Sequence, residues 1–217
     1  MSENLISIAI PKGRLQKKTE ALFHASKMPF EFTSRELTAE SPEAGIRAIL
    51  VKNSDLVTYV SHGIAGIGIG GDDLLQESDA RFFKLLPLPF GSTKMCLAAK
   101  AEGNAERQFH HDGGHITVAT KFTEFTRDHF HRRGIPVQII KLNGSVELAP
   151  LLGLAPYIVD LVETGDTLRE NNLAVLEELA TIRVHLVANR AYYKIHYRVI
   201  NRMVENLKRG IQTWQSK

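Results

Sequence analysis

The sequence predicts an α/β protein in which two units, each built on a parallel sheet, are joined by two chain crossings. Short apolar runs alternate with segments whose apolar residues recur every three or four positions, which indicates alternating strands and helices. The Pro- and Gly-rich segment Pro87–Thr93 predicts a crossover between the units. The apolar run Ile182–Ala188 predicts a strand that returns to the first unit. We therefore expect one unit over 1–93 plus 183–217 and a second over 94–182.

The first unit is predicted to begin with a strand, a basic turn and a helix. The apolar run Leu5–Ile10 is the strand, and Pro11–Arg14 is the turn. The helix follows because five residues at helical spacing share one face: Leu15, Thr19, Leu22, Phe23 and Ser26. Phe30–Glu43 is expected to be extended and hairpin-like. The other predicted elements are strands Ile46–Val51, Ile67–Ile69 and Phe82–Leu86 and helices Asp55–His62, Asp72–Gln76 and Ala191–Arg209.

The last predicted helix carries an apolar stripe, which consists of Tyr192, Ile195, Val199, Met203 and Leu207. The second unit is predicted to contain strands Lys94–Ala99, Ile116–Ala119, Val137–Lys141 and Tyr157–Val162 and helices Thr123–Arg133 and Gly144–Leu152. Ligands of parallel α/β sheets bind at the carboxyl ends of the strands. Four polar segments follow predicted strand ends and are expected to face one cleft: Lys12, Asp73, 143–147 and 163–167.

The loop Glu163–Thr167 is the strongest candidate site, because it follows the buried strand Tyr157–Val162 directly. Such a loop can turn its backbone N–H groups inward around an anion, and the hydroxyls of Thr164 and Thr167 add donors. Asp160, near the strand end, can accept hydrogen bonds from sugar hydroxyls. This chemistry suits a ribose 5-phosphate. The alternative is an ordinary strand-to-helix turn in which Thr167 is the N-cap.

A second candidate site is the basic turn after the first strand. Gly13 allows close approach of the backbone to a ligand, and Lys12 and Arg14 on either side can bind a pyrophosphate. The alternative interpretation is a solvated basic turn without a ligand.

Four ordered stretches of the chain resemble the short form of the ATP phosphoribosyltransferase family, the first enzymes of histidine biosynthesis. They are Ile8–Leu15, Gly68–Leu75, Ile140–Leu151 and the loop segment Asp160–Leu168. The resemblance covers nearly the whole chain. It implies two α/β lobes with a cleft between them, as in type II periplasmic solute-binding proteins. It also implies transfer of phosphoribosyl from phosphoribosyl pyrophosphate to N1 of ATP, with release of pyrophosphate.

The resemblance assigns roles to individual residues of this chain. Phosphoribosyl pyrophosphate is expected to contact Asp160, Glu163, Thr164, Gly165, Asp166, Thr167, Lys12, Gly13 and Lys52. Lys12, Arg14 and Arg35 are expected to stabilise the departing pyrophosphate. ATP is expected to contact Asp73, Gly144, Ser145 and Glu147.

Three residues depart from the family pattern. Gly66 replaces a common Asp, Asp72 replaces a frequent Lys or Leu, and Lys52 replaces Arg in many relatives. Asp72 adds negative charge near a polyanion site and is expected to weaken nucleotide binding. Lys52 keeps the charge but loses the guanidinium fork.

The resemblance also implies partners. The final helix is expected to end near Gly210, and because only seven residues follow it in the sequence, we expect no C-terminal regulatory domain. Short forms work with a separate histidyl-tRNA-synthetase-like regulatory subunit, so we expect a homodimer within a hetero-oligomer. Mg²⁺ is expected to arrive with the substrates, without a dedicated protein site. Two other functions stay open, a non-catalytic solute-binding domain and a salvage-type phosphoribosyltransferase.

Composition agrees with a globular protein of 217 residues that carries a formal charge of +3 and is 43% hydrophobic. No stretch is long enough to span a bilayer and no secretory signal is evident, and the single cysteine, Cys96, excludes an internal disulfide. These features predict a cytoplasmic protein that binds neither nucleic acid nor membrane. His110, His111 and His115 share one polar loop without a recognisable metal-binding spacing, so we interpret this loop as solvated.

Overall fold

The chain crosses between two structural units twice, after Gly91 and after Ile182. The computed structural model describes residues 5–33, 35–101 and 115–215. The first unit comprises Met1–Gly91 and Arg183–Lys217, and the second comprises Ser92–Ile182. Each unit has its own β-sheet. Within the described ranges, no helix is both long enough and apolar enough to cross a membrane.

The helices and strands are numbered in chain order. The strands are β1 (Ile6–Pro11), β2 (Thr38–Ser41), β3 (Ile46–Val51), β4 (Ile67–Gly71), β5 (Phe82–Pro87), β6 (Thr93–Lys100), β7 (Ile116–Thr120), β8 (Val137–Lys141), β9 (Tyr157–Val162), β10 (Leu173–Ile182) and β11 (Val184–Asn189). The α-helices are α1 (Arg14–Ala25), α2 (Leu56–Ser61), α3 (Asp72–Gln76), α4 (Thr123–Arg132), α5 (Leu148–Leu151), α6 (Asp166–Glu170) and α7 (Arg190–Gln215). A short 3-10 turn, Asn53–Asp55, precedes α2.

The sheet of the first unit is mixed, with the strand order β2-β3-β1-β4-β11-β5. Its centre is parallel, because β1 pairs in parallel with both β3 and β4. The returning strand β11 runs antiparallel between β4 and β5, and β2 pairs antiparallel with β3. The prediction of a purely parallel sheet is therefore wrong at both edges. The returning strand itself is confirmed, although it begins at Val184 rather than Ile182.

The sheet of the second unit has the strand order β10-β6-β9-β7-β8. Strands β9, β7 and β8 are parallel, as predicted, whereas β6 runs antiparallel to β9 and to β10. Strand β10 was not predicted from the sequence. Its residues alternate between half-buried and exposed positions at the edge of the sheet, so it lacks the continuous apolar run that marks the buried strands.

Apolar residues cover both faces of each sheet. In β1, Ile8 and Ile10 pack into one cluster with α1 and α7, and Ala9 packs on the other face with α2. In β9, Val159 belongs to the cluster that contains α4 residues, and Ile158 belongs to the cluster on the opposite face. Both sheets thus fix their register through alternating side chains, which positions the loops at their carboxyl ends.

The final helix differs from its predicted form. It runs to Gln215, and His196 has non-helical backbone angles that kink it. The predicted stripe is wrong at Ile195 and Val199, which are 75% and 46% exposed. The buried face is instead Ile200, Met203, Val204 and Leu207, because the kink changes the phase of the helix. Trp214 also lies on the helix and packs against Phe90, with ring centroids 6.1 Å apart.

Gly66 occupies a position that this fold closes to any side chain. A Cβ atom added there would lie 2.0 Å from the Tyr192 ring. The Gly66 N–H donates to the Ser7 hydroxyl at 2.9 Å, and the Gly66 carbonyl accepts the Asn189 N–H at 3.0 Å. The backbone at Gly66 is therefore held in place beneath the Tyr192 ring. An Asp, the residue expected at this position from the family resemblance, would meet the Tyr192 ring in the same way.

We predict that Gly66→Ala destabilises the protein by about 1–3 kcal/mol, because the new methyl group must displace the Tyr192 ring. Urea unfolding of the variant measures the change in free energy. Adding Gly66→Ala to a Tyr192→Ala background is the control, since the ring is then absent and the cost should fall below about 1 kcal/mol. Equal costs in the two backgrounds would show that the ring is not the obstacle.

Candidate functional site

The loop after β9 is shaped by a glycine. Gly165 has φ 79° and ψ 6°, a left-handed conformation that favours glycine, and it is the N-cap of α6. Glu163, Thr164, Asp166 and Thr167 are exposed around it. The left-handed residue turns the chain sharply from the strand into the helix. Loops of this kind can present successive backbone N–H groups to an anion.

Side chains within the loop are ordered by one another. The Thr164 hydroxyl donates to Asp166 at 2.6 Å, and the Arg169 guanidinium forms an ion pair with the same carboxylate. The hydrogen bond from Thr164 and the charge of Arg169 hold the pKa of Asp166 below its usual value. Arg169 also donates to the Thr164 carbonyl at 3.4 Å. Asp166 is therefore ionised, and its contacts with Thr164 and Arg169 stabilise the loop.

The interpretation of Thr167 as an N-cap is wrong. Gly165 holds the capping position, and no side chain caps α6. Thr167 is the second residue of α6, and its carbonyl accepts a hydrogen bond from the side-chain amide of Asn171 at 2.9 Å. The Thr167 hydroxyl is consequently not engaged as a helix cap.

A cavity of about 400 Å³ opens beside the loop within the second unit. Glu163, Thr164 and Gly165 line it from the loop, and the Lys94–Glu178 ion pair lines it from the sheet. Apolar side chains such as Val162, Leu168 and Leu173 complete the lining around this ion pair. It leaves the loop accessible from this side.

Asp160 is half-buried on β9, three residues before the loop. One of its oxygens accepts the Leu161 N–H at 2.8 Å. Burial raises the pKa of the Asp160 carboxyl and the charge of Glu147 raises it further, whereas the Leu161 hydrogen bond and the charge of Lys121 lower it. The net direction is upward. Asp160 thus combines a partly desolvated carboxylate with a remaining capacity to accept hydrogen bonds.

Lys121 is a residue that the sequence reasoning missed. It follows β7 immediately, and the strand register pairs Thr120 with Val159, which brings Lys121 level with Asp160 on the neighbouring strand. The Lys121 ammonium lies 4.7 Å from the centroid of the Phe122 ring. Its position directly after an apolar strand was a signal in the sequence, as for Lys12, but only the strand register shows that Asp160 is its neighbour.

The segment after β8 is not the helix that the sequence predicts. Helix α5 begins only at Leu148, because Ser145 has a left-handed φ of 49° that an α-helix cannot accommodate. Glu147 is the N-cap residue of α5, without a side-chain capping bond. Gly144 and Ser145 are exposed, and a Cβ at Gly144 would meet open space. This segment is an exposed loop at the carboxyl end of the sheet.

In the first unit, the basic turn extends the pairing of β1 with β3. The Lys12 N–H donates to the Val51 carbonyl at 2.9 Å, which places Lys12 beside Lys52. Gly13 is left-handed, with φ 98°, and α1 begins at the next residue, Arg14. Arg35 lies in a turn before β2, where the Glu36 N–H donates to the Thr33 carbonyl at 3.2 Å, so the pairing of β2 with β3 does not reach it. Lys12 and Lys52 lie side by side at one end of this sheet.

The two aspartates after β4 have different environments. Asp73 is buried, with 6% exposure, in the first turn of α3. Asp72 forms an ion pair with Lys84 and contacts His185 and the Arg183 N–H. Burial alone would raise the pKa of Asp72, but these partners together lower it. The negative charge that departs from the family pattern is therefore offset by cations of the same unit.

No group of three or more His, Cys, Asp or Glu side chains able to hold a metal ion occurs in the ranges that the structure describes. His115 is exposed, whereas His110 and His111 lie outside the described residues. The thiol of Cys96 is buried, and burial raises its pKa to about 11.

The fold relates this chain to a broad class of two-unit α/β proteins. The chain superposes with a TM-score of 0.65 on the periplasmic aliphatic sulphonate binding protein SsuA from Escherichia coli, covering 99% of this chain and 75% of that one. The two sequences are only 14% identical, so this likeness shows the fold alone. The protein has the two-lobe α/β fold of type II periplasmic binding proteins.

The comparisons by sequence identify the family. The model of the family "HisG: ATP phosphoribosyltransferase" matches residues 52–209. An ATP phosphoribosyltransferase from Moorella thermoacetica is 41% identical over 216 residues, covering 97% of this chain and 95% of its relative. One from Geobacillus kaustophilus is 41% identical over 210 residues, covering 94% and 97%. This chain belongs to the ATP phosphoribosyltransferase family.

A solved structure agrees with this assignment. The ATP phosphoribosyl transferase (HisG:HisZ) complex from Thermotoga maritima contains a chain that is 35% identical and superposes with a TM-score of 0.80. The match covers 96% of this chain and all of that chain. The resemblance inferred from four sequence motifs is confirmed.

Proposed function

We propose that this chain transfers the phosphoribosyl group of phosphoribosyl pyrophosphate to N1 of ATP and releases pyrophosphate, the first step of histidine biosynthesis. The observation that carries the proposal is the left-handed loop at the end of β9, within a chain of this family. The loop suits a 5-phosphate, because it offers backbone N–H groups and the Thr167 hydroxyl on an exposed concave surface. Glu163, Thr164 and Asp166 complete the proposed phosphate-binding loop.

Asp160 is proposed to bind the ribose. An ionised carboxylate only accepts hydrogen bonds, so it matches the ribose hydroxyls, which donate. The 5-phosphate and the hydroxyls are then held at two points, which fixes the anomeric carbon for attack. Adenine N1 is a neutral nucleophile, so the step needs no strong base.

The departing pyrophosphate is proposed to contact the cationic residues of the first unit. Negative charge builds on this group as the anomeric bond breaks, so preorganised cations stabilise the transition state. Lys12, Arg14, Arg35 and Lys52 fill this role in the proposal, and Gly13 lets the backbone approach the pyrophosphate closely. Mg²⁺ enters with the polyphosphate substrates and neutralises part of their charge.

ATP is proposed to bind at the loop after β8 and at Asp73. Gly144 and Ser145 are exposed and leave room for a base, and Glu147 can accept from an amino group. Asp73 is buried, so we propose that it acts through the shape and charge of the α3 N-terminus.

The direct test of this function is pyrophosphate release from phosphoribosyl pyrophosphate by the pure chain. ATP should support release and free purine bases should not, because a salvage-type enzyme would accept the bases instead. Release that requires a free purine would contradict the proposal in favour of salvage. Donor binding without release in either reaction would favour a solute-binding domain.

The chain is proposed to form a homodimer that assembles with a regulatory subunit. The related structure from Thermotoga maritima is a HisG:HisZ complex, and this chain covers all of the matched chain in it. A histidyl-tRNA-synthetase-like partner would supply feedback control by histidine.

We predict that Thr167→Val weakens donor binding about tenfold, because a hydrogen bond to a charged phosphate is worth roughly 1.5–3 kcal/mol. Isothermal titration with phosphoribosyl pyrophosphate measures the dissociation constant. Thr117→Val, at the other end of the second unit's sheet, is the control and should bind normally. Unchanged affinity in Thr167→Val would remove this hydroxyl from the site.

Arg14→Ala should lower kcat by roughly tenfold to a hundredfold and change KM less, if Arg14 stabilises the departing pyrophosphate. Arg14→Lys should restore only part of the rate, because the guanidinium fork is lost. Lys18→Ala removes an exposed cation from the same helix and serves as the control. Full turnover in Arg14→Lys would show that a bidentate contact is not needed.

A further inference from the structure

We propose that Lys121 is a positioning residue that keeps the Asp160 carboxylate ionised, so that Asp160 can accept hydrogen bonds from the ribose hydroxyls of the phosphoribosyl donor. This inference rests on the proposed function, since it concerns how the same site holds its donor. None of the four motifs that identify the family contains Lys121.

The sheet of the second unit places Lys121 next to Asp160. The parallel register of β7 and β9 ends with Thr120 beside Val159, so the next residues on the two strands, Lys121 and Asp160, are neighbours. Adjacent strands lie about 4.8 Å apart, which brings the two side chains within electrostatic range. On β7 and β9, the preceding residues of the same face are Ala119 and Ile158, which share one cluster. Strand alternation therefore puts Lys121 and Asp160 on the same face of the sheet.

Two hydrogen bonds of Thr120 fix the carboxyl end of β7. The fully buried Thr120 hydroxyl donates to the Val159 carbonyl at 2.6 Å and accepts the Phe122 N–H at 2.9 Å. Lys121 lies between these two anchored residues. Its ammonium is held near the face of the Phe122 ring, which is itself buried. The backbone from which the Lys121 side chain projects is therefore fixed by the fold.

The other ionisable groups around Asp160 are neutral, paired with a partner or negatively charged. On the opposite side β6 presents Cys96 in register with Asp160, and its thiol is neutral because burial raises its pKa to about 11. Lys94, also on β6, forms an ion pair with Glu178 of β10. Beyond the loop, Asp166 is paired with Arg169 on α6. Glu147, ahead of α5, adds negative charge that opposes ionisation of Asp160.

The positive charge of Lys121 opposes the effects of burial and of Glu147 on the ionisation of Asp160. Burial raises the pKa of Asp160 and Glu147 raises it further, while the Leu161 N–H and Lys121 lower it. Without Lys121, the balance moves toward the protonated acid. A protonated carboxyl has lost part of its acceptor capacity and gained a donor, which does not match donating ribose hydroxyls.

The test measures the dissociation constant of phosphoribosyl pyrophosphate by isothermal titration across pH. Removing the charge with Lys121→Met should raise the constant roughly three- to tenfold at about pH 5 and less than twofold at about pH 8, where Asp160 is ionised in either protein. Lys121→Arg keeps the charge and should follow the wild type. Lys100→Met removes an exposed lysine at the opposite end of β6 and should also follow the wild type.

Two results would overturn the inference. An equal loss of affinity at every pH in Lys121→Met would mean that Lys121 contacts the donor directly. A binding profile identical to that of the wild type would mean that its charge does not reach Asp160. Because binding is measured without turnover, either result leaves the transferase proposal intact. A wild-type chain that binds the donor but releases no pyrophosphate with ATP would contradict the transferase proposal alone, and one that does not bind the donor would contradict both.

Discussion

The parallel pairing of β9, β7 and β8 is the constraint on which the proposed site depends. Parallel strands bring their carboxyl ends to one edge, so Asp160, Lys121 and the loop before α5 are gathered without being close in sequence. The Thr120 hydroxyl fastens β7 to β9 at that edge. Gly165 then turns the chain back within three residues of the strand end. The proposed substrate contacts lie mainly in loops, and the strands fix the positions of those loops.

Part of this arrangement could be predicted from the sequence. Strand β9 was predicted with correct bounds, because a buried strand is a continuous apolar run between Pro156 and Gly165. The helix Gly144–Leu152 was wrong, since nothing in the local pattern reports a left-handed Ser145. Strand β10 was missed because an edge strand with polar positions has no buried run. The site residues could be nominated from strand ends, but a neighbour such as Lys121 emerges only once the register is known.

The departures from the family pattern separate into two kinds. Gly66 and Asp72 belong to local arrangements of the first unit: the Tyr192 ring fills the space above Gly66, and the Lys84 ammonium offsets the charge of Asp72. Each departure is therefore matched by its surroundings. Nothing in the structure explains Lys52 in place of Arg. Its neighbour Lys12 keeps this end of the sheet cationic, which is what a pyrophosphate requires.

The central claim is that the loop after β9 holds the 5-phosphate of the donor while Asp160 holds its ribose. A crystal structure of the chain with phosphoribosyl pyrophosphate measures this most directly. The account predicts phosphate oxygens about 2.7–3.2 Å from the backbone nitrogens of the loop around Gly165, and a ribose hydroxyl at the same distance from Asp160. A donor bound with its 5-phosphate elsewhere, and with this loop making no contact to it, would contradict the account.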